Sequence, residues 1–181
     1  WQDEMFQTGF LTNNTVSITA SGDRSKFYLG LGYVMEEGSI KSEKLNKFTV
    51  NLHSEHKVTD FLRFGFQVNG VRALYPDAKG VGSALKAAPI APVYDTESGL
   101  LHTLPDFQRA QVWNPMIEPV LKGAHNKSAN YRMAGNIYGE LDLMKNLTFK
   151  ATFSLDYASS QSRSYSPLIY VYNPDVEGGK E

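Results

Sequence analysis

Apolar and polar residues alternate along six stretches of the chain. In the fourth stretch every second residue is apolar, namely Leu62, Phe64, Phe66 and Val68, and the residues between them are Arg63, Gly65, Gln67 and Asn69. A period of two places the two sets on opposite faces of an extended strand. The pattern therefore predicts six β-strands, near residues 13–21, 25–35, 46–58, 60–73, 128–143 and 146–158.

The links between these strands differ in length in a regular way. The sequences GDRS, VTD and MKN connect the first and second, third and fourth, and fifth and sixth strands, whereas the other links are longer. Short turns at one edge and long loops at the other are typical of outer-membrane barrels, in which the turns are periplasmic and the loops extracellular. A soluble Greek-key sandwich has no reason to separate its loops by length.

The two predicted faces and the strand lengths point in the same direction. One face carries Lys, Arg, Asp, Glu, Asn and Gln with small glycines between them, and the other is aromatic and aliphatic. Several strands are predicted to reach ten or more residues, where soluble strands usually have about five or six. We therefore predict an all-β fold, an antiparallel transmembrane β-barrel segment. The alternative is a soluble or secreted β-sandwich that binds carbohydrate as a lectin-like or adhesin module.

Composition excludes some functions and is compatible with a transmembrane β-barrel. The mean hydropathy of -0.34 suits a soluble domain, but short alternating membrane strands also keep the average low. No apolar run reaches the 18 or so residues of a spanning helix. With 18 basic and 19 acidic residues and no basic run, the chain shows no electrostatic footprint for nucleic acid. It has no cysteine, so disulfides, thiolate metal sites and a cysteine nucleophile are excluded.

Motifs for catalysis or for metal binding are weak. His53 and His56 are three residues apart, which places them on opposite faces of a strand, and the loop sequence GVGSAL lacks the context of a nucleophile elbow or a phosphate loop. Asp95 and Glu97 are the best carboxylate pair for an enzyme, yet their turn-rich surroundings favour plain solvation. We expect no catalytic residue, no metal and no cofactor.

The longest link, residues 76–127, contains aromatic residues, begins at Pro76 and is interrupted by five further prolines, which predicts an ordered loop rather than a disordered tail. Aromatic rings beside charged and amide groups are suited to stacking on sugars or peptides and to hydrogen bonding with them. The candidates for contact with a substrate or a partner are Tyr94, Asp95, Phe107, Arg109 and Trp113.

Several motifs resemble one protein family. The sequence resembles the start of the barrel in SusC-like (SusC/RagA) TonB-dependent transporters of Bacteroidetes type at Trp1 to Asp3, Phe6 to Gly9, Asn13 to Gly22 and Phe27 to Gly38. The similarity continues in PVYDTESG, WNP and YRMAGNIYGELDLMKNLTFKATFSLDY. It departs from the family at Asp23, where a second glycine is usual, and this affects only the turn.

The resemblance implies a fold, a location and a function. It implies that the six strands are the second to seventh of a plugged barrel of about 22 strands in the bacterial outer membrane, and that the plug and the TonB-coupling box lie upstream. It implies active import of an oligosaccharide or a peptide, with a SusD-like surface lipoprotein capturing the cargo and the TonB complex moving the plug. The expected surroundings are outer-membrane lipid and the rest of the barrel, with no nucleic acid.

Overall fold

The computed structural model describes residues 1–41, 43–76, 81–103, 114–117, 127–165, 171 and 173. Within them, six strands form one sheet in which each strand is hydrogen-bonded to the next along the chain. The strands are β1 (Phe10–Ser21), β2 (Ser25–Glu37), β3 (Lys44–Lys57), β4 (Leu62–Pro76), β5 (Lys127–Met144) and β6 (Leu147–Arg163). All five pairings are antiparallel, so the all-β antiparallel fold predicted from the alternation is confirmed.

The strands are longer than the alternation alone indicates. β6, for example, continues to Arg163, whereas the alternating pattern ends near residue 158. The extra residues of β6 are Ser159 to Arg163, which are all polar, and they pair with Lys127 to Tyr131. Backbone pairing with a neighbouring strand therefore extends the sheet past the point where side-chain alternation ends.

The links fall into two groups at opposite ends of the strands. The three short turns, residues 22–24, 58–61 and 145–146, lie at one end, and the two longer links, residues 38–43 and 77–126, lie at the other. We call these the short-turn end and the long-loop end.

The register places most of the large apolar side chains of all six strands on one face. Directly paired residues share a face, and one such row consists of Ile18, Leu29, Leu52, Val68, Gly135 and Leu155. Many of the large apolar residues on this face are exposed, with Phe153 at 70% and Val16 at 66%. No second sheet covers this face among the described residues.

The hydrophobic core lies outside the sheet. It consists of Met5, Leu101, Met116, Ile117 and Val171, with Trp1, Val81, Ala84 and Val93 packed against it. These residues come from the segment before β1, from the link between β4 and β5, and from the segment after β6, all at the long-loop end. The small core therefore holds together an assembly of loops, which we call the loop assembly.

Two short helices belong to the loop assembly, α1 (Gln2–Met5) and α2 (Val81–Ala84). Each has four residues, and neither is long and apolar enough to cross a membrane.

Candidate functional site

The polar face of the sheet is one candidate surface, and it carries a groove near the long-loop end. The groove has a volume of about 620 Å³ and is lined by residues of β4, β5 and β6 that include Val71, Ala73, Tyr75, Asn130, Arg132 and Ser160. The Arg132 guanidinium donates to both carboxylate oxygens of Asp156, from Nε to Oδ1 at 3.2 Å and from Nη2 to Oδ2 at 2.7 Å. Such a bidentate pair has a fixed orientation, so it gives the groove one rigid charged border.

The small side chains make the groove possible. Ala73 and Ala158 leave room between the strands, and the Ser160 hydroxyl donates to the Asn130 amide oxygen at 2.7 Å. None of these residues is among the five contacts predicted from the sequence. The sequence signal of such a groove is a run of small and amide residues on the polar face of strands whose other face is apolar.

A second group of polar residues lies on the same face near the short-turn end. The Glu140 carboxylate lies between Lys150, whose Nζ is 2.7 Å from Oε1, and Arg63, whose Nη2 is 3.4 Å from Oε2. The Lys150 ammonium also lies 4.4 Å from the centre of the Tyr138 ring, and the Tyr138 hydroxyl donates to Glu55 at 3.3 Å. We call these five residues of β3 to β6 the ionic network.

The ionic network fixes strand register more than it adds stability. Exposed ion pairs contribute only about 0–1 kcal/mol each. A one-residue slip, however, would move these charges to the apolar face. The network thus penalises the wrong register across β3 to β6.

Tyr94 and Asp95, two of the predicted contact residues, lie together in a small hairpin of the loop assembly. Tyr94 pairs with Leu101, the Asp95 amide donates to the Leu100 carbonyl at 2.8 Å, and the His102 amide donates to the Val93 carbonyl at 2.9 Å. Gly99 has a φ of 68° at the turn, a left-handed conformation that glycine adopts without strain.

The Asp95 carboxylate accepts hydrogen bonds from within this turn. Its Oδ2 accepts from the Ser98 amide and from the Ser98 hydroxyl, both at 2.7 Å. These bonds from the Ser98 hydroxyl and amide lower the pKa of Asp95 below its usual value. The residue predicted as a ligand contact therefore shapes the hairpin, and one of its oxygens carries both bonds.

Tyr94 remains accessible, with 38% of its surface exposed. Partial burial raises the pKa of its hydroxyl, and the nearby Glu4 carboxylate raises it further. The phenol is thus neutral and can donate a hydrogen bond at physiological pH. The other three predicted contacts, Phe107, Arg109 and Trp113, lie outside the described residues.

Asn114 connects the hairpin to the rest of the loop assembly. Its buried amide donates to the carbonyls of Val93 at 3.1 Å and of His102 at 2.7 Å, and its oxygen accepts from the Met116 amide at 3.0 Å. In the sequence, Asn114 is one of the polar residues that lie beside the aromatic residues of the loop, and it is not among the five predicted contacts. The Asn-Pro pair, which is typical of turns, is the one sequence signal of this structural role.

A cleft of about 390 Å³ opens beside α1 and α2, lined by residues that include Trp1, Asp3, Phe6, Val81 and Leu85. The Trp1 indole donates to the Ala88 carbonyl at 2.8 Å, which orients the ring. Within the described ranges, no group of three or more histidine or acidic side chains is arranged to hold a metal ion.

Comparison with known proteins shows that nearly the whole chain is similar to part of TonB-dependent receptors. It is 24% identical to TonB-dependent receptor P3 of Formosa agariphila over 191 residues, which cover 98% of this chain and 18% of that protein. It is 26% identical to TonB-dependent receptor P26 of the same organism, over 94% of this chain and 18% of the relative. Over 54% of the chain it is 29% identical to TonB-dependent receptor SusC of Bacteroides thetaiotaomicron, covering 10% of that protein. No protein-family model matches the chain.

Solved structures show the same fold. The RagAB peptide importer in its closed-closed state superposes with a TM-score of 0.69 at 17% identity, over 90% of this chain and 19% of the solved chain. The open-open state gives a TM-score of 0.70 at 16% identity with the same coverage. The chain thus spans less than a fifth of the length of these relatives and neighbours.

The fold, its two unlike faces and these relatives agree with the resemblance seen in the sequence. The chain forms a six-stranded antiparallel sheet with the fold of a stretch of the RagAB importer, and over nearly its whole length it is similar in sequence to part of TonB-dependent receptors.

Proposed function

We propose that this chain is part of the barrel wall and outer rim of a transporter that imports an oligosaccharide or a peptide across the bacterial outer membrane with energy from TonB. The observation that carries the proposal is the single sheet with one apolar face and one hydrogen-bonding face. Apolar residues toward lipid and polar residues toward a wet lumen are the pattern of outer-membrane barrels.

The link lengths support an orientation. In outer-membrane barrels the short turns are periplasmic and the longer loops extracellular. The short-turn end then faces the periplasm, and the loop assembly lies outside the cell with the long link 77–126.

The edges of the sheet support a larger barrel. β1 and β6 each have one unpaired edge among the described strands. In lipid, each unsatisfied backbone group costs several kcal/mol, so strands outside these residues must pair with both edges. A closed barrel of about 22 strands with a plug in its lumen is the known solution for outer-membrane transporters.

Cargo and partner contacts belong to the long-loop end and the polar face. We assign Tyr94, Phe107, Arg109 and Trp113 to contact with the cargo or with a SusD-like surface lipoprotein. Asp95 contributes by holding the hairpin that presents Tyr94. The protein performs no chemistry on the cargo, and the TonB complex acts through parts of the transporter outside this chain.

Uptake by cells tests the proposal. The intact transporter is expressed in a strain lacking its own copy, and uptake of fluorescent oligosaccharides and peptides is measured with and without a functional TonB. The expected result is saturable, TonB-dependent uptake of one cargo class, which stops when the SusD-like lipoprotein is deleted. Uptake that does not change when TonB is removed would overturn the proposal.

Membrane extraction provides a test that does not depend on cargo. The protein should be found in the outer-membrane fraction, should require detergent for extraction, and should migrate differently on gels before and after boiling. A protein that stays monomeric in buffer without detergent would instead support a carbohydrate-binding sandwich.

A further inference from the structure

Arg72 is an unusual residue on the apolar face of the sheet. It lies in β4, pairs directly with Phe48 and Tyr131, and is exposed. No ion pair joins it to an acidic side chain among the described residues. A positive charge therefore stands on the face that the proposed function turns toward lipid.

Aromatic residues lie beside this charge on both neighbouring strands. The Arg72 guanidinium carbon lies 5.7 Å from the centre of the Tyr131 ring, within the range of a cation–π contact. On the other side of Arg72, the Phe48 ring lies 4.7 Å from that of Tyr33, whose hydroxyl donates to Asn46 at 2.9 Å. Aromatic rows of this kind mark the interface between hydrocarbon and headgroups in outer-membrane barrels.

The level of this row assigns it to one leaflet. Arg72 lies four residues before the end of β4 at Pro76, which is the long-loop end. The next residues on the same face toward the short-turn end are Gly70, Val68 and Phe66, and they are apolar. Toward the long-loop end only Leu74 follows on this face before the strand ends at Pro76, so the charge lies close to the outer boundary of the apolar band, where the proposed orientation brings outer-leaflet headgroups.

A notch lies next to the charge on the side of the apolar band. Gly70 pairs with Val50 and Met133, and a side chain added there would meet Val50 only at 3.9 Å. The missing side chain leaves a depression between two apolar neighbours. The depression lies on the path that an acyl chain would follow from a headgroup at Arg72.

We propose that Arg72 binds the phosphate of an anionic glycolipid of the outer leaflet, with an acyl chain of that lipid lying over Gly70. A guanidinium offers paired donors that match phosphate geometry, and the contact with the Tyr131 ring restricts the conformations of the Arg72 side chain. This inference rests on the proposed membrane-spanning function, because only then does the apolar face meet lipid.

The adjacent register position provides a matched control. Arg132 pairs with Val71, one residue from the Arg72–Tyr131 pair, but it lies on the polar face, bonded to Asp156. Arg72→Gln and Arg132→Gln therefore remove the same charge at nearly the same height on opposite faces.

Native mass spectrometry of the intact, detergent-solubilised transporter tests the inference, with bisphosphorylated lipid A as the probe. We expect Arg72→Gln to reduce bound lipid A by about tenfold, as the loss of one charge-assisted contact implies. Arg132→Gln should bind lipid A like the unsubstituted protein, and dephosphorylated lipid A should bind the unsubstituted protein as weakly as lipid A binds Arg72→Gln.

Equal lipid A binding by Arg72→Gln and the unsubstituted protein would overturn the inference. So would equal binding of phosphorylated and dephosphorylated lipid A to the unsubstituted protein, and this arm decides the question even if Arg72→Gln fails to fold. If the protein imports cargo but fails these tests, only this inference is wrong. If it is not found in the outer membrane, the proposed function itself fails.

Discussion

Gly65 and Tyr138 face each other across β4 and β5, and the space above Gly65 is occupied by the Tyr138 ring. A Cβ built on Gly65 would lie 2.5 Å from the ring and from its hydroxyl. The Tyr138 ring can lie over the β4 backbone only because residue 65 has no side chain. In this position Tyr138 contacts both Lys150 and Glu55.

Gly65→Ala should lower the stability of the folded barrel by about 1–3 kcal/mol, the usual cost of overpacking. The ring must move, and its bond to Glu55 is lost. Gly139→Ala is the control, since nothing lies within 4 Å of the Cβ that it adds. Urea unfolding in detergent measures both variants. Equal stability of the two would show that the ring does not depend on Gly65.

Asp95 is expected to act through the turn it holds. Asp95→Ala removes the acceptor for Ser98 and should speed proteolytic cleavage of the hairpin, whereas Asp95→Asn retains one acceptor oxygen and should be cleaved at an intermediate rate. Glu97→Gln, in the same turn, should match the unsubstituted protein. If Asp95→Ala is cleaved no faster than Glu97→Gln, the turn does not depend on this carboxylate.

The same carboxylate makes the hairpin sensitive to acid. The pKa of Asp95 in the folded state is lowered from an ordinary value near 3.8. Its contribution to the stability of the hairpin is therefore complete above that pH and is lost as the pH falls through the lower folded value. Hydrogen exchange at the Ser98 amide, corrected for its intrinsic pH dependence, should therefore accelerate only below about pH 3.8.

Asn114 is the residue whose loss should loosen the loop assembly most. Asn114→Asp keeps the acceptor for Met116 but removes the donors of both bonds, so the bonds to the Val93 and His102 carbonyls are lost. Each lost hydrogen bond costs about 0.5–1.5 kcal/mol. Hydrogen exchange at the His102 amide, which bonds to Val93, should become at least several times faster. Unchanged exchange would contradict the linking role.

At the scale of the elements, the ionic network ties β4, β5 and β6 together through Arg63, Glu140 and Lys150. Glu140→Lys places three cations side by side and should lower the unfolding midpoint. Adding Lys150→Glu restores an opposite pair between β5 and β6 and should recover part of the loss. If the double variant is as unstable as the sum of the two single variants, the pair does not interact.

The sequence predicts the elements of the sheet well, because alternation is a local property. Leu62 to Val68 show both faces of β4 without any knowledge of its neighbours. The partners of each strand are non-local, so the contact of Tyr138 with Glu55, 83 residues away, could not be predicted.

The loop assembly was the least predictable element. Met5, Leu101 and Val171 come from three distant parts of the chain and have no shared periodicity, yet they form one core. Asp95 was predicted as a ligand contact because its polar side chain lies in a loop beside aromatic residues, and Asn114 was not among the predicted contacts. Their roles within the loop follow from bonds that only the folded chain forms.

At the scale of the whole molecule, the main physical fact is the exposure of one apolar face across all six strands. Water would penalise this exposure at about 25 cal/mol per Å² of apolar surface, so the face needs either lipid or a second protein layer. The barrel account requires lipid on this face and water on the other, whereas a sandwich would bury the apolar face in protein.

Spin labelling along β6 separates these two possibilities most directly. Single cysteines, each carrying a nitroxide, replace residues 153 to 157 in turn, in the intact transporter reconstituted in bilayers. The labels at Phe153, Leu155 and Tyr157 should be accessible to oxygen dissolved in the lipid, and those at Ser154 and Asp156 to a water-soluble nickel chelate. Labels at the first three positions that are shielded from both reagents would contradict the membrane-facing wall.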